Sequence, residues 1–289
     1  MGIPKCMNFF WANSKLSWLR YLTLYSFRYY HPDWTMRLYT YQNPACQFVW
    51  DDNVSQDIVN YDGLDYIKCM DELDIQIIEW TPPLEGLMPA SASDMFQWEI
   101  LHKHGGYYAD MDILFIGQIP HEQYCDVDNL FCLAGEYMAI GFFGASKGSQ
   151  LMLDLFNRSQ SVFDPASYQS TGAITIYDLA KLYYWNVRRN SGMEAVHIFQ
   201  KKYLNENTVC LPSISVYPYQ WTEIKQIFVQ KRVVQPECFG IHWFGGDILS
   251  QKMNVEINYE TWSSHDNTFI KYANKCLTDF DKTILDKRQ

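Results

Sequence analysis

The stretch "SDMFQWEILHKHGGYYADMDILF", residues 93–115, decides how the chain is interpreted, because it places two aspartates inside an apolar run. Side chains alternate along an extended segment, so Asp110 and Asp112 are predicted to point to the same side of a strand. Taking two neighbouring carboxylates out of water is costly unless a cation or a hydrogen-bond donor compensates. The stretch therefore predicts either a strand that ends in solvent or a positively charged partner at this pair.

The residues around the pair predict a helix followed by a strand. Ser91 or Ser93 is expected to cap a helix that has Asp94 in its first turn, and Gly105-Gly106 is expected to end it. A strand then runs from Tyr107 to Ile116. In open α/β sheets ligands bind at the carboxyl ends of strands, so the aspartates occupy a favourable position for a site.

Asp-x-Asp by itself is weak evidence, because it occurs three times in the chain. The pairs Asp126/Asp128 and Asp279/Asp281 lie in polar surroundings and are predicted to be solvated surface. Only the pair at 110 and 112 follows a Gly-Gly helix stop on an apolar strand.

Strands and helices alternate along the first half of the chain, which predicts an α/β sandwich with a mostly parallel central sheet flanked by helices. The predicted strands are residues 3–11, 35–40, 75–80, 107–116, 139–145, 195–199 and 213–218. The predicted helices include residues 16–31, 63–73, 91–104, 148–158 and 174–186, and an amphipathic segment from Asn267.

Composition limits the classes of function. A net charge of −10 argues against broad attraction to nucleic acid or to an anionic membrane surface. Eight cysteines without metal-finger spacing indicate reduced thiols in a cytoplasmic protein. No apolar run reaches about 18 residues and the start does not read as a secretory leader, so we expect no membrane span.

The order Ser93-Asp94, helix, Gly105-Gly106-x-Tyr108-x-Asp110-x-Asp112 resembles the signature of the sugar transferases with a DXD motif. That family includes capsular polysaccharide transferases, yeast-type α-mannosyltransferases and the glucosylating toxins. "IPKCMNFFW" and "HPDWTMRLY" are similar to its first two strands, so the resemblance covers about the first 120 residues well. "STGAITIYDLA" and "GIHWFGG" resemble later elements more loosely.

The resemblance implies a GT-A-type fold for nucleotide-diphospho-sugar transfer. It implies one glycosyltransferase domain over residues 1–289, in which 1–120 bind the nucleotide sugar and 121–289 form the acceptor side. Asp110 and Asp112 would be catalytic and would hold Mn²⁺ or Mg²⁺ against the diphosphate of a UDP- or GDP-sugar, with His242 as a third metal ligand.

Further roles are implied for donor and acceptor contacts. Asp94 would be catalytic and would accept hydrogen bonds from sugar hydroxyls, and Trp11 would stack on the nucleotide base, although a core role is about as plausible for Trp11 on sequence alone. Gly106 and Tyr108 belong to the same donor-binding signature. Thr171 and Gly172 are candidates for the acceptor side.

Gln97 departs from the family pattern, because the family usually carries an arginine three residues after the first aspartate. An amide does not replace a guanidinium in contacts with anionic oxygens. Lys103 or Arg20 could supply the missing positive charge from elsewhere.

The sequence therefore predicts a metal-dependent glycosyltransferase, and the resemblance implies retention of the anomeric configuration. Glu136 and Asp247 are candidates for a carboxylate near the anomeric carbon. The acceptor is a glycan, a protein or, with less support, a modified base in nucleic acid. Two alternatives stay open: a paired-Asp metal-dependent phosphoryl-transfer or nuclease enzyme, and a non-catalytic sugar-nucleotide-binding protein, which the departure at Gln97 would suit.

Overall fold

Seven strands form one mixed sheet in the computed structural model, which describes residues 2–12, 15–41, 61–182, 191–278 and 280. The strand order is β3-β2-β1-β4-β7-β6-β8, and β5 pairs with β9 in a separate two-stranded sheet. In chain order the strands are β1 (Cys6–Ala12), β2 (Thr35–Tyr41), β3 (Ile75–Glu79), β4 (Gly106–Ala109), β5 (Ile113–Phe115), β6 (Asn129–Ala134), β7 (Tyr137–Ala145), β8 (Thr208–Leu211) and β9 (Gly240–His242).

Most neighbouring strands in the large sheet run parallel. The pairs β3-β2, β2-β1, β1-β4 and β6-β8 are parallel, whereas β4-β7 and β7-β6 are antiparallel. Strand β1 is buried along its whole length: Phe9 and Trp11 belong to one apolar cluster, and Phe10 and Ala12 belong to another. Burial on both faces is typical of a parallel sheet covered by helices on both sides.

Eight α-helices are found in the described residues. They are α1 (Trp18–Tyr30), α2 (Pro89–His104), α3 (Gln150–Val162), α4 (Ala173–Leu179), α5 (Ser191–Lys202), α6 (Ile224–Phe228), α7 (Ile248–Glu256) and α8 (Thr268–Leu277). In the described part of the chain, no helix combines the length and apolarity needed to cross a membrane. The prediction of a mostly parallel α/β sheet with flanking helices is confirmed.

Two predicted strands are wrong. Residues 195–199 lie inside α5, where Ala195, Val196 and Phe199 are buried at the i, i+1, i+4 spacing of a helix. Residues 213–218 form a 3-10 turn at Ser213–Ser215 and then an irregular segment, and the nearby strand, β8, ends before Pro212. Val216 and Tyr217 are nevertheless buried, so an apolar run was mistaken for a strand.

The prediction of one continuous strand from 107 to 116 is also wrong. It is divided by a turn at Met111-Asp112 into β4, in the large sheet, and β5, in the small sheet.

The start of α2 differs from its predicted start. The N-cap is Met88, with no side-chain cap, and Pro89 occupies the first turn. Proline suits that position because its fixed φ is helical and its missing N–H would have no partner there. Asp94 therefore lies in the second turn, where it is buried rather than acting as a cap.

Two other helices are shorter than predicted. The segment predicted at 63–73 is a 3-10 helix over Ile67–Leu73. The helix predicted at 174–186 ends at Leu179, and its last residues lie outside the described part of the chain, as do Asp279 and Asp281.

Candidate functional site

Asp110, Asp112 and His242 converge where β4 leaves the large sheet. Asp110 follows β4 directly, and the turn at Asp112 leads into β5, whose antiparallel partner β9 ends at His242. The His242 Nε2 lies 3.2 Å from Asp112 Oδ1 and 3.5 Å from Asp110 Oδ2. One possible ligand atom from each residue lies within 4.8 Å of the others, a separation at which one metal ion can be held.

Each carboxylate is held by a second contact. The Tyr108 hydroxyl donates to Asp110 Oδ1 at 2.6 Å, and it also lies 2.8 Å from Ser93 Oγ on α2. The backbone N–H of Gly245 donates to Asp112 Oδ2 at 2.6 Å. The pair is therefore positioned from both sheets and from the loop after β9.

The imidazole of His242 turns one nitrogen to the carboxylates and the other to the backbone. The N–H of Phe244 donates to Nδ1 at 3.2 Å, which leaves Nε2 to face Asp110 and Asp112. Burial lowers the pKa of His242, but the charges of Asp112 and Asp110 and the hydrogen bond to Asp110 outweigh it, so the pKa lies above its ordinary value.

Asp94 forms a second acidic position beside this group. Thr171 Oγ1 donates to Asp94 Oδ2 at 2.9 Å, and Gln97 Nε2 lies 3.4 Å from Asp94 Oδ1. Burial raises the pKa of Asp94 well above its ordinary value; the Thr171 hydrogen bond acts against this shift and the charge of Asp110 adds to it. A methyl group at Gly172 would lie 2.6 Å from Asp94 Oδ2, so glycine is required there for this approach.

The remaining predicted donor contacts are buried. Gln97 is 1% exposed and bonds to Asp94, while Trp11 is 3% exposed and belongs to the core. Gly106 has φ +105°, and a Cβ there would meet the carbonyl oxygen of Cys6 at 2.6 Å. The contacts of Trp11, Gln97, Gly106 and Tyr108 with a donor stay predictions.

The two candidate replacement cations differ in position. Lys103 is exposed and is paired with Glu99 on the same helix at 2.5 Å. The guanidinium of Arg20 is buried between two indole rings, 4.9 Å from the ring of Trp11 and 5.3 Å from that of Trp243, which follows His242. Arg20 is therefore the candidate that lies on the side of the acidic group.

The two candidate carboxylates for anomeric chemistry have different surroundings. Asp247 caps α7, accepting from the N–H groups of Leu249 and Ser250. Glu136 is exposed in the turn between β6 and β7. Among the contacts described for these two residues, none joins either one to Asp110 or Asp112.

Two residues of the site were missed by the sequence interpretation. Gly141 on β7 lies against Asp110 and His242, and the hydroxyl of Tyr217 lies beside it. A signal was present for the first: a glycine inside an apolar strand often marks the close approach of another group. Tyr217 gave none, because an aromatic residue in an apolar run is usually core.

Residues 21–130 match the family model described as "Glycosyltransferase sugar-binding region containing DXD motif". Over these residues the chain is similar to the DXD glycosyltransferases. The match covers more than a third of the chain and includes Asp94, Asp110 and Asp112. The match agrees with the predicted glycosyltransferase, and the α/β part of the fold prediction is confirmed by the mostly parallel sheet.

Solved structures similar to this chain have low sequence identity. PaToxG glycosyltransferase is 11% identical, with a TM-score of 0.42 over 62% of this chain and 69% of that one. Glycosyltransferase GlyE of Streptococcus pneumoniae TIGR4 is 12% identical, with a TM-score of 0.43 over 99% of this chain and 63% of GlyE. The galactosyltransferase LgtC, solved with donor and acceptor sugar analogs, is 13% identical, with a TM-score of 0.42 over 98% and 99% of the two chains. No curated protein sequence matches the chain.

Proposed function

We propose that this protein is a metal-dependent glycosyltransferase that moves a sugar from a nucleotide-diphosphate donor to an acceptor. The observation that carries the proposal is the group formed by Asp110, Asp112 and His242 within 4.8 Å. The family match supports it, because it covers both aspartates of the DXD motif.

The chemistry of the donor set fits a divalent cation. The two carboxylates suit Mn²⁺ or Mg²⁺, and among the ion pairs of the described residues they meet only His242. Asp110 is 36% exposed and Asp112 is 13% exposed, so the group has an open side. When bound, such a cation supplies Lewis-acid stabilisation of the charge on a departing nucleoside diphosphate.

Asp94 is proposed to bind the hydroxyls of the donor sugar. It lies beside Asp110 and is held by Thr171, so a sugar next to a diphosphate at the DXD group would meet it. Gln97 supports Asp94 through its amide, and Tyr108 orients Asp110. Trp11 and Gly106 complete the proposed donor-binding set.

The proposed site combines both halves of the chain. Asp110 and Asp112 come from the region 1–120 and His242 from 121–289, joined through the β5-β9 pair. This supports one glycosyltransferase domain over 1–289, with the second half also facing the acceptor. The donor is proposed to be a UDP- or GDP-sugar, the acceptor a glycan, a protein or a modified base, and the anomeric configuration retained.

A cytoplasmic location is part of the proposal. Seven cysteines lie in the described residues and all are free thiols, which suits a reducing compartment.

The alternative hypothesis, a phosphoryl-transfer enzyme, has less support from the geometry of the site. A two-metal enzyme needs several carboxylates that bridge two ions about 3.5–4 Å apart. In the described ranges, the one cluster with metal-ligand spacing contains two carboxylates and a histidine, which suits a single ion.

The test is hydrolysis of sugar nucleotides in the absence of an added acceptor. UDP- and GDP-sugars are incubated with the enzyme and Mn²⁺, and release of UDP or GDP and the anomer of the free sugar are measured. Release that requires Mn²⁺ and is lost in Asp110→Asn supports the proposal. Mn²⁺-dependent binding without release would indicate a sugar-nucleotide-binding protein, and cleavage of phosphodiesters instead would indicate the rival enzyme.

A further inference from the structure

The hydrogen bond between Phe244 and His242 decides which nitrogen of the imidazole carries the hydrogen. The backbone N–H of Phe244 donates to Nδ1 at 3.2 Å, so Nδ1 acts as an acceptor and has no hydrogen of its own. In the neutral ring the hydrogen is then on Nε2, which lies 3.2 Å from Asp112 Oδ1 and 3.5 Å from Asp110 Oδ2. In this arrangement His242 therefore faces the two carboxylates as a hydrogen-bond donor.

Binding of a cation through Nε2 requires the opposite tautomer of His242. The lone pair of Nε2 has to be available, so the ring hydrogen has to be on Nδ1. There it would point at the N–H of Phe244, and two donors would face each other. A histidine that binds a metal usually donates from its second nitrogen to a carboxylate, a carbonyl oxygen or water. The contact with Phe244 therefore suits the donor role of His242 and opposes its role as a ligand.

The peptide group between Trp243 and Phe244 can offer an acceptor in place of this donor. Phe244 has φ +50°, a left-handed conformation that is unfavourable for a residue with a Cβ. Rotation of the peptide plane by half a turn would carry this φ to about −130°, inside the allowed β region. The same rotation would turn the carbonyl oxygen of Trp243 towards Nδ1. It would therefore relieve the strain at Phe244 and supply the acceptor that a metal-binding His242 needs.

Ser250 opposes this rotation. Its hydroxyl, fully buried on α7, donates to the carbonyl oxygen of Trp243 at 2.6 Å and holds that oxygen away from the imidazole. The rotation would break this hydrogen bond. The strain at Phe244 and the hydrogen bond from Ser250 are effects of similar size and opposite direction. The free-energy difference between the two orientations is therefore small enough for binding at Nε2 to reverse it.

We propose that the peptide group between Trp243 and Phe244 is a switch for the metal site. In one orientation its N–H holds His242 as a donor to the carboxylates, and in the other its carbonyl oxygen accepts from Nδ1 and leaves Nε2 free to bind the ion. Nε2 gives its hydrogen to water and Nδ1 takes one from water, so the charge of the ring is unchanged. The inference rests on the proposed function and adds Phe244 and Ser250 as positioning residues.

Phe244→Gly and Phe244→Ala form a matched pair that tests the switch. Both remove the ring, but only alanine keeps the unfavourable φ of +50° in the orientation that the structure describes. Glycine should therefore favour that orientation and bind Mn²⁺ at least about fivefold more weakly than alanine. Titration with Mn²⁺, followed by electron paramagnetic resonance, gives both affinities. Equal affinities would overturn the inference, because a fixed peptide group gives the Cβ at 244 no part in metal binding.

Ser250→Ala should have the opposite effect. It removes the hydrogen bond that holds the Trp243 carbonyl oxygen, so Mn²⁺ should bind about threefold more tightly, or more, than to the wild type. Ser159→Ala is the control, because Ser159 is also fully buried and donates to a carbonyl oxygen, that of Phe156, at 2.8 Å on α3. It should bind Mn²⁺ as the wild type does. Unchanged or weaker binding by Ser250→Ala would contradict the switch.

The tautomer of His242 can be measured directly by nitrogen-15 NMR of the imidazole, with Zn²⁺ as a diamagnetic probe in place of Mn²⁺. We expect the hydrogen on Nε2 without the ion and on Nδ1 with it, and His242→Asn identifies the signals. If the wild type binds neither Mn²⁺ nor Zn²⁺, with or without UDP and GDP, the proposed function and the switch fail together. If it binds them while the hydrogen stays on Nε2, only the switch is wrong.

Discussion

Asp110 and Asp112 lie in one site, but not because their side chains alternate along a single strand, as was predicted. A turn at Met111-Asp112 separates them, and the pairing of β5 with β9 brings His242 to both carboxylates. The pattern of residue types was enough to predict a positively charged partner, and the loose family likeness of "GIHWFGG" was enough to suggest His242. The position of the Tyr217 hydroxyl could not be predicted, because only the tertiary packing places it beside Gly141.

Asp112→Asn should lower Mn²⁺-dependent turnover about a hundredfold or more, since it removes one of three proposed ligands and leaves the backbone N–H of Gly245 without a charged acceptor. Steady-state rates at several Mn²⁺ concentrations give the result. Asp126→Asn, at the exposed first residue of another Asp-x-Asp pair, is the control and should turn over normally. Full activity of Asp112→Asn would show that the DXD assignment is wrong.

Asp94→Asn should separate sugar binding from nucleotide binding. Loss of a carboxylate that accepts sugar hydroxyls is expected to lower turnover of the sugar nucleotide about tenfold or more. Affinity for UDP or GDP should stay within about twofold of the wild type, because the diphosphate is held elsewhere. Thr171→Val, which removes only the donor to Asp94 Oδ2, should show a smaller loss of the same kind. An equal fall in UDP or GDP affinity would place Asp94 on the nucleotide instead.

Secondary structure was predictable where the spacing of apolar residues agreed with the glycines and prolines that mark the ends of helices and strands. Strands β1, β2 and β3 and helix α1 lie close to their predicted positions. The prediction failed at residues 195–199, where β-branched and aromatic residues lie in a helix because Ala195, Val196 and Phe199 are buried on one face. It also failed at the break between β4 and β5, since the change of sheet there depends on pairing with distant β9.

Gly106 lies at the junction between α2 and β4, and the chain path there requires its backbone conformation. Gly106→Ala should destabilise the protein by about 3 kcal/mol, because an alanine would hold φ at +105° and would contact the Cys6 carbonyl. Gly86→Ala is the control: its φ is +71°, but a Cβ there has open space, so about 1 kcal/mol is expected. Urea denaturation of both variants gives the comparison, and equal losses would show that the close approach of β1 and β4 adds nothing.

The molecule as a whole joins its two sheets through a core that includes His31. Its Nε2 accepts from the N–H of Ile119 and its Nδ1 lies 3.1 Å from the Phe27 carbonyl oxygen, so the neutral ring satisfies both groups. Burial lowers the pKa of His31 to about 4, against the opposing effects of the Phe27 hydrogen bond and the charge of Asp33. The core around His31 is therefore stabilised by a neutral histidine.

The pH dependence of unfolding should report this residue. The unfolded chain takes up the proton near pH 6.5 and the folded protein only near pH 4, so the contribution of His31 is complete above pH 6.5 and is lost as pH falls toward 4. The loss is expected to reach about 3 kcal/mol relative to His31→Gln. Denaturation of both proteins between pH 4.5 and 7.5 measures it, and parallel curves would contradict a neutral, buried His31; the raised pKa of Asp94 acts in both proteins alike.

The melting temperature of the wild type with UDP, GDP and their sugars, with and without Mn²⁺, tests the central claim most directly. A ligand at about 100 times its dissociation constant adds roughly 2.7 kcal/mol, which shifts the midpoint of a protein of this size by a few degrees. The account predicts that one nucleotide stabilises the protein only when Mn²⁺ is present and that Asp110→Asn abolishes the shift. A shift that is the same without Mn²⁺, or one that persists in Asp110→Asn, would contradict it.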